Sequence, residues 1–81
     1  MPGPYSGREV IKVLTDHGFR RAPATGGSHE KLVYTDPNTG NRRVVTVPLH
    51  DEIAPGTLDK IAKQAGANDV QAFRSWLDAC L

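Results

Sequence analysis

Ser28-His29-Glu30-Lys31-Leu32-Val33-Tyr34-Thr35, then Asp36-Pro37-Asn38-Thr39-Gly40, then Asn41-Arg42-Arg43-Val44-Val45-Thr46-Val47 is the stretch that decides the fold. Both outer runs have the form of strands bounded by Gly and Pro signals, and the second is β-branched from Val44 to Val47 before Pro48 stops it. Between them Pro37 presets φ at the second turn position, and Gly40 can take the positive φ of a bulged hairpin. An antiparallel pair over Ser28 to Thr35 and Asn41 to Val47 is therefore predicted. Ahead of it, Gly26-Gly27 lets a backbone or a ligand's phosphate come close to His29, which the strand holds rigid.

Working upstream, Ala22 to Gly27 reads as a loop, and Phe19 to Arg21 as a short strand anchored by Phe19. Arg20 and Arg21 point to opposite sides of the sheet by the period of two, so one of them lies on the ligand side. Ser6-Gly7-Arg8-Glu9 has the form of a capping box that opens a helix from Gly7 to His17. Val10, Ile11, Val13 and Leu14 form its apolar stripe, and Gly18 supplies a left-handed stop. His17 falls in the last turn, where the helix dipole favours a cation, and reads as a structural or surface histidine.

Downstream, Leu49 to Gly56 is a loop carrying His50-Asp51-Glu52, and Thr57 reads as the N-cap of a helix from Leu58 to Ala65 that Gly66 ends. Asn68-Asp69 opens a third helix in which Val70, Phe73, Leu77 and Cys80 recur at helical spacing, with Trp76 at the edge of the stripe. The order is α-β-β-β-α with a C-terminal helix. This is an α+β arrangement, a three-stranded antiparallel sheet with two helices on one face, leaving the other face or the edges to a partner.

At 81 residues the chain reads as a single domain, 1–81, with a stability margin on the order of 5 kcal/mol. Cys80 is the sole cysteine, so no intramolecular disulfide forms, and its place in the apolar pattern suggests packing. No apolar run of about 18 residues is present and Met1-Pro2-Gly3-Pro4 has no signal-peptide form. No membrane association and a cytoplasmic location are the expectation. The net charge of +1 divides unevenly: residues 1–49 hold seven Lys/Arg against four acids, and residues 50–81 three against five. The basic part carries His29, which favours an anionic partner there.

Three histidines with no Cys pair and no His-x-x-x-His spacing make a poor metal site, so no metal is expected. Ser28 and His29, as neighbours in an extended segment, point apart and do not suit Ser-His nucleophilic catalysis. Gly26-Gly27 does not extend to a P-loop or dinucleotide fingerprint, so no cofactor is expected either. Proton transfer by a histidine beside basic residues remains. RNA suits it, because the 2′-hydroxyl attacks its own phosphodiester once a protein moves the protons and stabilises the added charge. Arg20, Arg21, Lys31, Arg42 and Arg43 are candidates to hold phosphate oxygens. On chemistry alone His29 stays open between this role and the commoner one of binding backbone or capping the loop.

Taken together, Ser6-Gly7-Arg8-Glu9-Val10-Ile11, His17-Gly18-Phe19, Gly27-Ser28-His29, Val47-Pro48-Leu49-His50, Pro55-Gly56-Thr57-Leu58 and Gln64-Ala65-Gly66 resemble the HicA-type toxin family, small mRNA interferases of toxin-antitoxin pairs. The resemblance covers roughly residues 6 to 66. It implies a double-stranded-RNA-binding-like α-β-β-β-α fold, a metal-independent endoribonuclease acting on mRNA, and a hetero-oligomer with a neutralising HicB-type antitoxin. Unstacked bases are the more readable ones, so single-stranded mRNA is the expected substrate.

The family's catalytic histidine carries over to His29, with Gly27 and Ser28 at matching motif positions. His50 matches a second motif, Pro-x-His, as site support or RNA contact, and Arg20, Arg21 and Lys31 complete the expected substrate-binding set. Two departures stand out. Glu30 follows the motif histidine, where it either weakens phosphate binding or points away, and the helix over 68–81 extends beyond the resemblance. An alternative function for the same residues is a catalytically silent RNA-binding or antitoxin-binding module.

Overall fold

The computed structural model describes residues 5–22 and 28–81. The elements run α1 (Gly7–Asp16), β1 (Arg20–Arg21), β2 (His29–Thr35), β3 (Arg42–Pro48), α2 (Pro55–Gln64) and α3 (Val70–Cys80). The three strands make one antiparallel sheet in the order β1-β2-β3. The fold is α+β, and its order matches the double-stranded-RNA-binding-like arrangement with one added helix.

The local signals act as their chemistry requires. Glu9 N–H donates to the Ser6 hydroxyl at 3.1 Å and Ser6 N–H to the Glu9 carboxylate at 2.9 Å, closing the capping box of α1. In the hairpin, Gly40 N–H reaches the Asp36 carbonyl at 2.8 Å, with Gly40 at φ +77° as the turn demands. The Asp36 carboxylate accepts Asn38 N–H at 2.8 Å, holding the turn from inside. Asp69 caps α3 by accepting Gln71 N–H at 3.0 Å.

Several boundaries differ from the expectation, and three of them have a clear physical reason. β1 is only Arg20–Arg21, because Phe19 N–H turns back to the Leu14 carbonyl at 3.0 Å and is spent closing the end of α1. β3 extends through Pro48. Leu49 N–H bonds to the Ser28 carbonyl, so the alternate residues Pro48 and Thr46 turn their nitrogens outward, and a proline at an outward position costs no ladder bond. The largest correction is to α2, which starts at Pro55 with Ala54 as N-cap rather than at Leu58 behind a Thr57 cap. Proline at the first helical position brings its own φ and lacks only an N–H that would have no partner there. Thr57 is therefore inside the helix, and its side chain is not a cap.

Cross-strand partners share a face, so the register sorts the sheet. Glu30–Val47, Leu32–Val45 and Tyr34–Arg43 lie on one side, His29–Pro48, Lys31–Thr46, Val33–Val44 and Thr35–Arg42 on the other. The first side carries the core. Leu32, Val45 and Val47 are fully buried with Val10, Leu14, Leu58 and Ile61, and Phe73 and Leu77 of α3 join the same cluster. The second side is open, with Val44 45% exposed.

Candidate active site

His29 is the first residue of β2 and lies exposed on the open side of the sheet, opposite Pro48. Two residues beyond Pro48 the chain has left the sheet, and His50 is held there by its backbone: its carbonyl accepts Gly7 N–H at 2.9 Å. Gly7 is close-packed at that point, since a Cβ on it would overlap the Pro48 carbonyl oxygen. The start of α1 thus fixes the end of β3, and with it the second imidazole. The rings of His29 and His50 stand 6.5 Å apart between centroids, inclined at 60°.

Both rings open onto one cavity of about 240 Å3. Thr46 and Pro48 form its sheet wall, and Thr57, Lys60, Ile61 and Gln64 of α2 the other. α2 runs along the outer edge of β3, where the outward Thr46 N–H donates to the Gln64 side-chain carbonyl at 3.1 Å. That bond ends the ladder on a side chain and ties the helix to the wall beneath the histidines. Lys60 is exposed and brings a cation to the cavity. Among the described residues the ion pairs are Lys12–Asp16 at 3.3 Å and Lys63–Asp59 at 3.8 Å, so Lys60 has no carboxylate partner there.

The other expected site residues fall at graded distances from this cavity. Ser28 touches His29, with its hydroxyl 3.3 Å from Nδ1. Neighbours in a strand would point apart, but Ser28 sits in the bend before β2 begins, where alternation does not apply. Lys31 shares the open side with His29, one paired row along. Arg20 pairs with Val33 and shares that side farther off, while Arg21 pairs with Leu32 on the helix-covered side. Gly27 lies outside the described residues. Glu30 pairs with Val47 and therefore projects to the side opposite His29.

Thr57, Lys60 and Gln64 also line the cavity; Thr57 and Gln64 enter the sequence reading as motif or cap residues, and none of the three is given a site role by it. They recur at spacings of three and four, a polar stripe beside the apolar Leu58, Ile61 and Ala62. A helix that begins after Thr57 breaks the stripe at its first member. A larger groove of about 530 Å3 lies between α1, the sheet and α3, lined in part by His17, Tyr34, Arg43 and Trp76. It shares no lining residue with the histidine cavity, and His17 Nδ1 is committed to the Val13 carbonyl at 2.8 Å. Among the described residues no three His, Cys, Asp or Glu side chains gather as metal ligands, and no helix is long and apolar enough to cross a membrane.

A family model described as the HicA toxin of bacterial toxin-antitoxin systems matches residues 7–67. The chain belongs to the HicA toxin family. The match runs from the first residue of α1 to just past α2, so it includes both histidines and all of the cavity walls, and leaves α3 outside. Neither the curated proteins nor the solved structures give a match.

Proposed function

We propose that this HicA-family chain is an endoribonuclease that cleaves single-stranded mRNA, with His29 as a proton-transfer group and no metal required. It acts in the cytoplasm and is held in check by a HicB-type antitoxin in a hetero-oligomer. The observation that carries the reading is the placement of His29: an exposed imidazole at the mouth of a small cavity, on an open sheet face that also presents Lys31 and Arg20. An imidazole can take or give a proton near neutral pH, and cations beside it hold the phosphate. Ser28 steadies the ring through Nδ1 and leaves Nε2 for the substrate. Glu30, on the far side, does not repel the phosphate.

His29→Ala is expected to lower the cleavage rate of a single-stranded RNA by about 100- to 10,000-fold, the usual span for an acid-base group. Its circular-dichroism spectrum should match that of the wild type, because His29 is exposed and outside the core. Growth arrest on expression should disappear in parallel. A folded His29→Ala protein that still cuts RNA at the wild-type rate would remove His29 from the reaction. A wild type that binds RNA in a salt-sensitive way and never cuts it would make the chain a silent binding module.

A further inference from the structure

The geometry points to His50 as the second acid-base group and Lys60 as the phosphate clamp of a two-imidazole transphosphorylation, an assignment that rests on the ribonuclease reading above. Cleavage through the 2′-hydroxyl needs two proton movements on opposite sides of one phosphorus. A base takes the 2′-O proton as that oxygen attacks, and an acid gives a proton to the 5′ oxygen as the P–O5′ bond breaks. The balance closes with no water and no co-reactant. The products are a 2′,3′-cyclic phosphate and a free 5′-hydroxyl.

A single imidazole cannot sit on both sides of the phosphorus at once. The second ring is 6.5 Å from the first, centroid to centroid. That is too far for the rings to hydrogen-bond directly, a contact that needs nitrogens about 3 Å apart, and close enough for one phosphate to lie between them. Both rings are exposed and both line the cavity, so neither must be unburied to reach a substrate. They share the β2–β3 ladder, where Leu49 N–H donates to the Ser28 carbonyl at 2.7 Å, and each has a hold of its own besides. β2 carries His29, whereas the backbone of His50 is pinned to Gly7 at the head of α1. With the backbone fixed on both sides, the two rings are set in place before a substrate arrives.

The extra negative charge that gathers on the non-bridging oxygens needs a cation across from the histidines. Lys60 lines the same cavity from α2, and no carboxylate competes for it among the described residues. The Gln64 bond to Thr46 N–H, one helical turn along, ties α2 to the strand edge beside the cavity that Lys60 lines. Gln64 is a positioning residue in this scheme.

The test uses the full chain on a single-stranded RNA oligonucleotide that the wild type cuts, and on the same oligonucleotide with sulfur replacing the bridging 5′ oxygen at the cut. Sulfur leaves without an acid. His50→Gln should slow cleavage of the natural RNA at least 100-fold, and each histidine variant should lose one limb of the bell-shaped pH profile. The sulfur substrate should restore one of His29→Gln and His50→Gln towards the wild-type rate and leave the other slow, which also tells acid from base. Lys60→Ala should reduce the rate about 10- to 100-fold, with partial return in Lys60→Arg. Wild-type ends should be cyclic phosphate and 5′-hydroxyl.

His50→Gln cutting within threefold of the wild type overturns the inference and leaves the ribonuclease reading standing. So do 5′-phosphate ends, sulfur rescue of neither variant or of both, or a fully active Lys60→Ala. A wild type that cuts no RNA overturns both.

Discussion

At the scale of the residue, what matters is which atoms of a polar side chain are already spoken for. His17 and His29 show the contrast: His17 Nδ1 donates to a carbonyl within its own helix and its ring meets Trp76 edge-on at 4.8 Å, whereas among the described residues His29 has only the neighbouring Ser28 hydroxyl as a side-chain hydrogen-bond partner. Tyr5 is committed more fully. It is 4% exposed, and its hydroxyl donates to the Asp78 carboxylate on α3. Burial first, and the Asp78 carboxylate second, push its pKa from the ordinary 10.0 up to about 12. Folding therefore holds a proton that the unfolded chain releases first. That stabilisation is whole below about pH 10 and is lost as the pH rises through about 12, since stability falls with pH wherever the native state binds more protons. Tyr5→Phe should flatten the alkaline fall of stability between those limits. Urea midpoints of both proteins, measured from pH 8 to pH 12, give the difference, and equal slopes would count against the coupling.

Among the elements, α1 and α2 each bring a glycine near the site, and the same substitution should act oppositely at the two. A Cβ on Gly7 would overlap the Pro48 carbonyl, a backbone atom that cannot move without shifting His50. Gly7→Ala should destabilise by about 1–3 kcal/mol, the usual cost of overpacking, and slow any cleavage that depends on His50. Gly56 lies in the first turn of α2, and a methyl group added there would meet nothing within 4 Å. Gly56→Ala should therefore stabilise by up to about 1 kcal/mol through helix propensity and unfolded-chain entropy. Thermal melts of the two variants should bracket the wild type. The elements themselves were largely legible, because the capping box, the Asp36–Gly40 turn and the positive-φ stops at Gly18 and Gly66 all act within a few residues. The candidate site was legible only at its centre. His29 announced itself by motif, but its proximity to His50 arises from the register of β2 on β3 and from the hold of α1 on the loop. The reach of Lys60 comes from the docking of α2 along a strand edge, which no local signal encodes.

On the scale of the whole molecule, the question is whether α3 belongs to the folding unit, since the family match stops at residue 67 and α3 starts at Val70. Its side chains are the ground for proposing that it does. Leu77 is fully buried and Phe73 4% exposed within the one core cluster, and Tyr5 links α3 to the segment whose backbone holds Ile53 and leads into Gly7. A chain this short has a stability near the lower end of the range of about 5–15 kcal/mol, while emptying a buried leucine site costs about 2–5 kcal/mol. Leu77→Ala should therefore remove a large part of the total stability, far more than loss of an appended helix would. Trp76, on α3 and packed against Phe73 at 5.7 Å, reports the helix locally, and far-ultraviolet circular dichroism reports every element. In the wild type the two signals should trace one coincident urea transition, and in Leu77→Ala both should move together to lower urea. Loss of the Trp76 signal ahead of the dichroism would mean that α3 frays alone and that the unit ends at α2.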